Sequence, residues 1–224
     1  MAALIRKLPA PVVFCLVVLV GFWFGILGNI VSVASRLQGV TPANNFSNWG
    51  ELSLVIFELL GLAAVFWIGR IRGWSFAAWG FQPSWRLIGA GMLLYLAVFS
   101  VIFGAGALVA AFHPATARSY HPLVSQVSLP FLMLVVVVNP VYEETLEVGF
   151  FVQALQRYGM WLAVLASALF RASLHTYLGF PAVATNLFAG LVLGFVYWKW
   201  RRLWPLFVFH ALADLTMFLQ YHAA

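Results

Sequence analysis

The chain has 224 residues, of which 64% are hydrophobic and 8% charged, and its six acidic residues stand against twelve Lys and Arg for a formal net charge of +6. Several apolar stretches exceed the roughly 18 residues that separate membrane spans from buried core helices, which excludes a soluble globular protein. The basic residues form no soluble patch and no stripe along a polar helix, so the positive charge does not point to nucleic acid.

Lipid offers no partner to backbone amides, so spans must be helices or a closed barrel, and the apolar runs lack the period-two alternation of barrel strands. The fold class is therefore all-α. In chain order the sequence predicts spans over Pro11–Ser35, Leu52–Ile71, Leu87–Ala111, Val127–Leu155, Trp161–Leu178, Ala182–Trp200 and Leu203–Tyr221. That makes a polytopic transmembrane bundle of about seven helices around an intramembrane polar cavity. No linker rich in Pro, Ser or charge interrupts the pattern, so residues 1–224 read as a single integral membrane domain.

Arg6 and Lys7 precede the first apolar run, which outlasts a signal-peptide core and reads as an uncleaved anchor. With the N-terminus in the cytoplasm, the inner loops collect Arg6, Lys7, Arg70, Arg72, Arg86, Arg157, Lys199, Arg201 and Arg202, and the outer loops hold Arg36 and Arg118. This asymmetry predicts N-in, C-out. Trp49, Trp67, Trp74, Trp79, Trp85, Trp198, Trp200 and Trp204 fall near span ends, as interfacial anchors do. Cys15 is the single cysteine, so no intramolecular disulfide forms.

Charge in the spans carries the functional information. The acidic residues are Glu51, Glu58, Glu143, Glu144, Glu147 and Asp214, and Arg171 also falls within a span. An ionised side chain at mid-bilayer costs about 2.5–3.5 kcal/mol on insertion scales, so such residues call for mutual pairing and mark function by default. Glu143 and Glu147 are four apart, as are Arg171 and His175, and His210 and Asp214. Each pair therefore shares one helix face. Three spans each present a polar face, and one common site is the economical arrangement. Glu51 reads as an outer-interface residue, and Glu58 lies one to two turns into its span, bonding within the bundle or facing the site. Asn139-Pro140 breaks backbone bonding just before the glutamates. His113, His121 and His222, in loops or at the terminus, are assigned no role.

Adjacent carboxylates with two histidines suit two chemistries. In one, His and Glu hold Zn²⁺, which generates a nucleophilic hydroxide and polarises the scissile carbonyl. In the other, a desolvated glutamate acts as general base toward water while polar side chains stabilise the oxyanion. Both hydrolyse an amide bond.

The motifs Glu143-Glu144-Thr145-Leu146-Glu147-Val148-Gly149, Phe170-Arg171-Ala172-Ser173-Leu174-His175 and His210-Ala211-Leu212-Ala213-Asp214 resemble those of the CAAX-processing and bacteriocin-processing (CPBP, or Abi) intramembrane endopeptidases. That family shows Glu-Glu-x-x-x-Arg, a motif ending in His, and His-x-x-x-Asn/Asp, each on its own helix; here they fall in a core of about 127–221. The resemblance implies a catalytic set of Glu143, Glu144, His175, His210 and Asp214. Glu143 would activate water with help from Glu144 and His175, and His210 and Asp214 would stabilise the oxyanion. If Zn²⁺ takes part, Glu144, His175 and His210 are the candidate ligands. Val148 departs from the family by standing where Arg is usual, and Arg171 on the neighbouring span is the expected substitute cation. The implied partners are membrane lipids and a membrane-associated protein or peptide substrate, of CAAX type or a bacteriocin or leader peptide. Two other readings compete: a non-catalytic relative that keeps the pocket for binding, as in an immunity or scaffold role, and a proton-coupled transporter. Short loops and the absence of targeting motifs fit a bacterial plasma membrane.

Overall fold

The computed structural model describes residues 2–40, 46–112 and 125–222. Arg118, His113 and His121 lie outside the described residues. The chain runs through α1 (Ala2–Lys7), α2 (Ala10–Leu37), α3 (Asn48–Arg72), α4 (Trp85–Phe112), α5 (Leu129–Glu143), a π-helical segment (Glu144–Phe150), α6 (Phe151–Leu155), α7 (Met160–Leu174), α8 (Phe180–Trp200) and α9 (Trp204–His222). Two short strands, β1 (Phe46–Ser47) and β2 (Ser125–Gln126), pair in parallel and bring the starts of α3 and α5 together. Asn48 Oδ1 accepts from Ser128 N at 2.7 Å and reinforces that link.

Among the described residues, five stretches are long and apolar enough to cross a membrane: Ala10–Leu37, Asn48–Arg72, Trp85–Phe112, Leu129–Tyr158 and Phe180–Trp200. The apolar helices Met160–Leu174 and Trp204–Leu219 are shorter. The protein is an all-α integral membrane protein. Its surface shows this directly, since Leu93, Leu96 and Leu108 of α4 are 69%, 58% and 61% exposed, apolar area that only lipid accommodates in bulk.

The interior follows from small residues that let backbones approach. Gly21 of α2 and Gly61 of α3 meet so closely that a Cβ on Gly61 would lie 3.4 Å from the Gly21 carbonyl oxygen. Tyr142 of α5 donates its hydroxyl to that same oxygen. α7 divides cleanly into two faces: Trp161, Leu162, Leu165 and Leu169 are exposed, whereas Ala163, Val164, Ser167, Ala168 and Arg171 are buried. The buried face packs on α8 through Gly190 and Gly194. Within lipid, such close contact and interhelical hydrogen bonding replace the hydrophobic drive of a soluble core.

Some expectations shift. The fifth span ends as a helix at Leu174 rather than Leu178, with His175 at the helix end and a 3-10 turn over Thr176–Leu178. Gly179, at φ 92°, and Pro181 then start α8 in a new direction. At 1.5 Å per residue α7 is about 22 Å long, shorter than the hydrocarbon core of about 30 Å. Trp79 is 5% exposed and packs inside against Phe76 and Phe81 instead of anchoring at the interface. Glu51 is buried as well, at 5% exposure.

A Cβ at Gly190 would stand 2.9 Å from the Cα of Ala168 and 3.4 Å from Arg171 Cδ, and backbone cannot yield as a flexible side chain does. Gly190→Val is therefore expected to lower stability in detergent by about 1–3 kcal/mol, the usual range for overpacking. Gly28→Ala, with open space around it, is expected to leave the unfolding transition unchanged.

Candidate active site

The sequence places Glu143 and Glu144 across a change of helical winding. α5 carries Pro140 in its interior, and Glu144 N–H bonds to Pro140 O and Val141 O before the chain widens into the π-helical Glu144–Phe150. All seven residues of that segment are buried. A π segment within an α-helix is rare and concentrates at functional sites. Here it turns Glu144 and Glu147 toward α7, and Ser167 Oγ donates to the Glu147 carbonyl at 2.6 Å, joining the segment to α7.

Arg171 lies at the centre. Its guanidinium meets three carboxylates: Nη2 bonds Glu144 Oε1, Nε lies 3.1 Å from Glu147 Oε2 and Nη1 lies 3.7 Å from Glu143 Oε2. His210 of α9 closes the group, with Nδ1 at 2.7 Å from Glu144 Oε1 and Nε2 at 3.4 Å from Asp214 Oδ1 and 3.8 Å from Glu143 Oε2. Both ring nitrogens of His210 thus face carboxylate oxygens, which only accept, so both positions call for an N–H.

Exposure sorts these groups. The side chains of Glu144 and Glu147 are fully buried, whereas Glu143 and Asp214 keep 15% and 23% exposure. The two inner glutamates hold the cation, and the two outer acids face the approach. The site is a packed polar cluster in which Glu143 and Asp214 alone among its acids keep partial exposure. A cavity of about 460 Å³ lies elsewhere, between α2, the Trp74–Trp79 turn and α6.

His175 reaches the cluster from the end of α7. Its Nδ1 is 2.9 Å from the Arg171 carbonyl oxygen, which can only accept, so Nδ1 carries the hydrogen and Nε2 is left with a lone pair. The ring interacts electrostatically with Glu143 and His210. Asn29 of α2 holds this break in the helix: it donates to Leu174 O at 2.7 Å and accepts from Thr176 Oγ1 at 2.8 Å and Tyr177 N at 3.3 Å.

The structure therefore brings together Glu143, Glu144, Arg171, His210 and Asp214 by direct contact, and His175 by its field. It adds groups that motif reading leaves out. Glu147 is a full partner of Arg171. Asn139 Nδ2 donates to Glu143 Oε1 at 3.2 Å and to Glu58 Oε1 of α3 at 2.6 Å. The signal for Asn139 was present, since it lies four residues before Glu143. Val148 is packed in the apolar core with no exposure, so no charge could be housed there without rebuilding its surroundings.

The donor set does not fit a metal held by Glu144, His175 and His210. Glu144 Oε1 is taken by Arg171 and His210 while its Oε2 has no hydrogen-bond partner, but the His210 nitrogens face acceptors and so offer N–H groups rather than lone pairs. Among the described residues no group of three or more His, Cys, Asp or Glu is arranged to hold a metal ion.

A buried cluster of acids around one cation, on three helices of a membrane bundle, defines the class: an intramembrane polar site. Residues 125–216 match the family described as Type II CAAX prenyl endopeptidase Rce1-like, and all three motifs fall within that stretch. No curated protein and no solved structure matches the chain.

Removing one partner from a buried ionic group strands the others, at about 3–5 kcal/mol. Arg171→Met is expected to destabilise the protein by that order in detergent unfolding. The same change in a Glu144→Gln/Glu147→Gln background is expected to cost markedly less, because two of the three carboxylates it would strand are gone.

Proposed function

We propose that this protein is an intramembrane endopeptidase that hydrolyses a peptide bond of a membrane-associated protein or peptide, of CAAX type or a leader or bacteriocin peptide. The observation that carries this reading is Glu143 Oε2: a buried oxygen of a side chain that keeps 15% exposure, with no hydrogen-bond partner among the described residues, 3.8 Å from His210 Nε2 and 3.7 Å from Arg171 Nη1. Polar separations of this size are those that a bridging water or a substrate oxygen spans.

In this mechanism water binds between Glu143 Oε2 and the lone pair of His175 Nε2. Glu143 takes one proton as the oxygen adds to the scissile carbonyl carbon, forming a tetrahedral intermediate with one negative oxygen. The N–H at His210 Nε2, held by Asp214 and backed by the Arg171 charge, stabilises that oxygen. Collapse breaks the C–N bond, and Glu143 returns the proton to the departing amine. Glu144 and Glu147 fix Arg171 and His210 and take no proton. The low-dielectric surroundings strengthen each of these interactions.

The charge asymmetry between loops supports an N-in orientation in a bacterial plasma membrane, with the partly exposed Glu143 and Asp214 presented to a membrane-borne substrate. The non-catalytic binder is the second reading, and Val148 is the residue that favours it. Arg171 answers that argument, since the glutamates have a cation from the neighbouring helix.

Purified protein in liposomes with prenylated and leader-peptide substrates tests the proposal. Glu143→Gln is expected to reduce kcat by about 100-fold or more, the scale of a lost general base, a loss larger than any fall in the folded fraction. His210→Ala is expected to cost about 100–1000-fold, the scale of a lost oxyanion donor. Cleavage by wild type that survives Glu143→Gln would overturn the mechanism. The contacts of Glu144 and His210 support the metal-free route, so activity is expected to persist in excess chelator; loss on chelation with recovery on adding Zn²⁺ would assign a metal instead.

A further inference from the structure

Glu58 belongs to none of the three motifs and lies outside the matched residues 125–216, on α3. It is 1% exposed. A carboxyl so deep in a membrane bundle needs a partner, and among the described residues it makes no ion pair. Its partner is an amide: Asn139 Nδ2 donates to Glu58 Oε1 at 2.6 Å and to Glu143 Oε1 at 3.2 Å. A carboxylate oxygen only accepts, and a primary amide nitrogen carries two N–H groups, so Asn at 139 is chemically suited to join two carboxylates that would otherwise repel. The two acceptors also settle which way the amide points.

The bridge acts on the accessible acid. With Oε1 of Glu143 tied to Asn139, Oε2 is the oxygen left facing His210 and Arg171. Asn139 alone is a weak tether, because it sits on the same helix as Glu143 and has its own side-chain freedom. Glu58 pins it from across the α3–α5 contact, where the two helices pack extensively. We propose that Glu58 is a positioning residue for the reaction, acting through Asn139 to fix which oxygen of Glu143 meets water. It touches neither water nor substrate. This inference rests on the protease reading, in which Glu143 is the base.

The test compares Glu58→Leu, Glu58→Gln and Asn139→Leu with wild type in the liposome cleavage assay, with kcat and KM separated and folded fraction measured by thermal unfolding. Glu58→Leu and Asn139→Leu are expected to lower kcat about 10–100-fold, the usual cost of losing an outer partner of a working group, with KM within about twofold. Glu58→Gln keeps an acceptor for Asn139 and is expected to recover most of that loss. A kcat for Glu58→Leu within twofold of wild type overturns the inference, as does a loss no larger than the fall in folded fraction, or a Gln variant as damaged as the Leu variant. If wild type cleaves nothing, or Glu143→Gln still cleaves, the protease reading fails separately. The bridge is then read from thermal unfolding of Glu58→Leu, Glu143→Leu and the double variant: non-additive shifts support it, and additive shifts overturn it.

Discussion

Arg171 is buried to 3% exposure in a membrane bundle, and the site takes its form from the need to compensate that cation. An isolated guanidinium in hydrocarbon is expensive, so it is retained only where acceptors surround it. Three carboxylates do so here, from Glu143, Glu144 and Glu147, all contributed by one neighbouring helix. The approach of α7 to α8 at Gly190, the widened winding at Glu144–Phe150 and the bond from Ser167 to the Glu147 carbonyl are the local conditions that let these groups meet. The pairing is mutual: without Arg171, Glu147 would lose its cation, and Glu143 and Glu144 would be left with His210 and Asn139.

The same compensation divides labour among chemically identical groups. Glu144 and Glu147 are committed to Arg171 and His210 and are closed to solvent. Glu143 lies at the edge of the ion cluster, with longer contacts and partial exposure. A carboxylate held at the edge with partial exposure is suited to taking and returning a proton, whereas one buried against the cation is suited to holding geometry. The cation comes from α7 rather than from the position of Val148, and the electrostatic requirement is met by another route. What matters to the glutamates is a positive charge at the right place, not which helix delivers it.

Around this centre the bundle is built for lipid. α4 turns large apolar side chains outward, and α7 keeps its polar and small residues on one face. The backbone break at the site is capped by a side chain from elsewhere: Asn29 satisfies the end of α7. No water in the hydrocarbon could do this, so irregular backbone at depth must be satisfied by protein.

The sequence by itself determined the helical class, the approximate spans and the three polar faces, because long apolar runs and four-residue spacing are local properties of a helix in lipid. It also singled out Arg171 as a charge needing partners. Tertiary structure alone decided the rest: that Glu147 meets Arg171 more closely than Glu143 does, that His175 stands at a helix end with one nitrogen committed to a carbonyl, and that Glu51 and Trp79 are buried. It also joined Glu58 to Glu143 through Asn139 across 81 and 4 residues of chain. These facts depend on helix rotation, winding and close approach, set by packing between segments distant in sequence, and no periodicity within one segment encodes them.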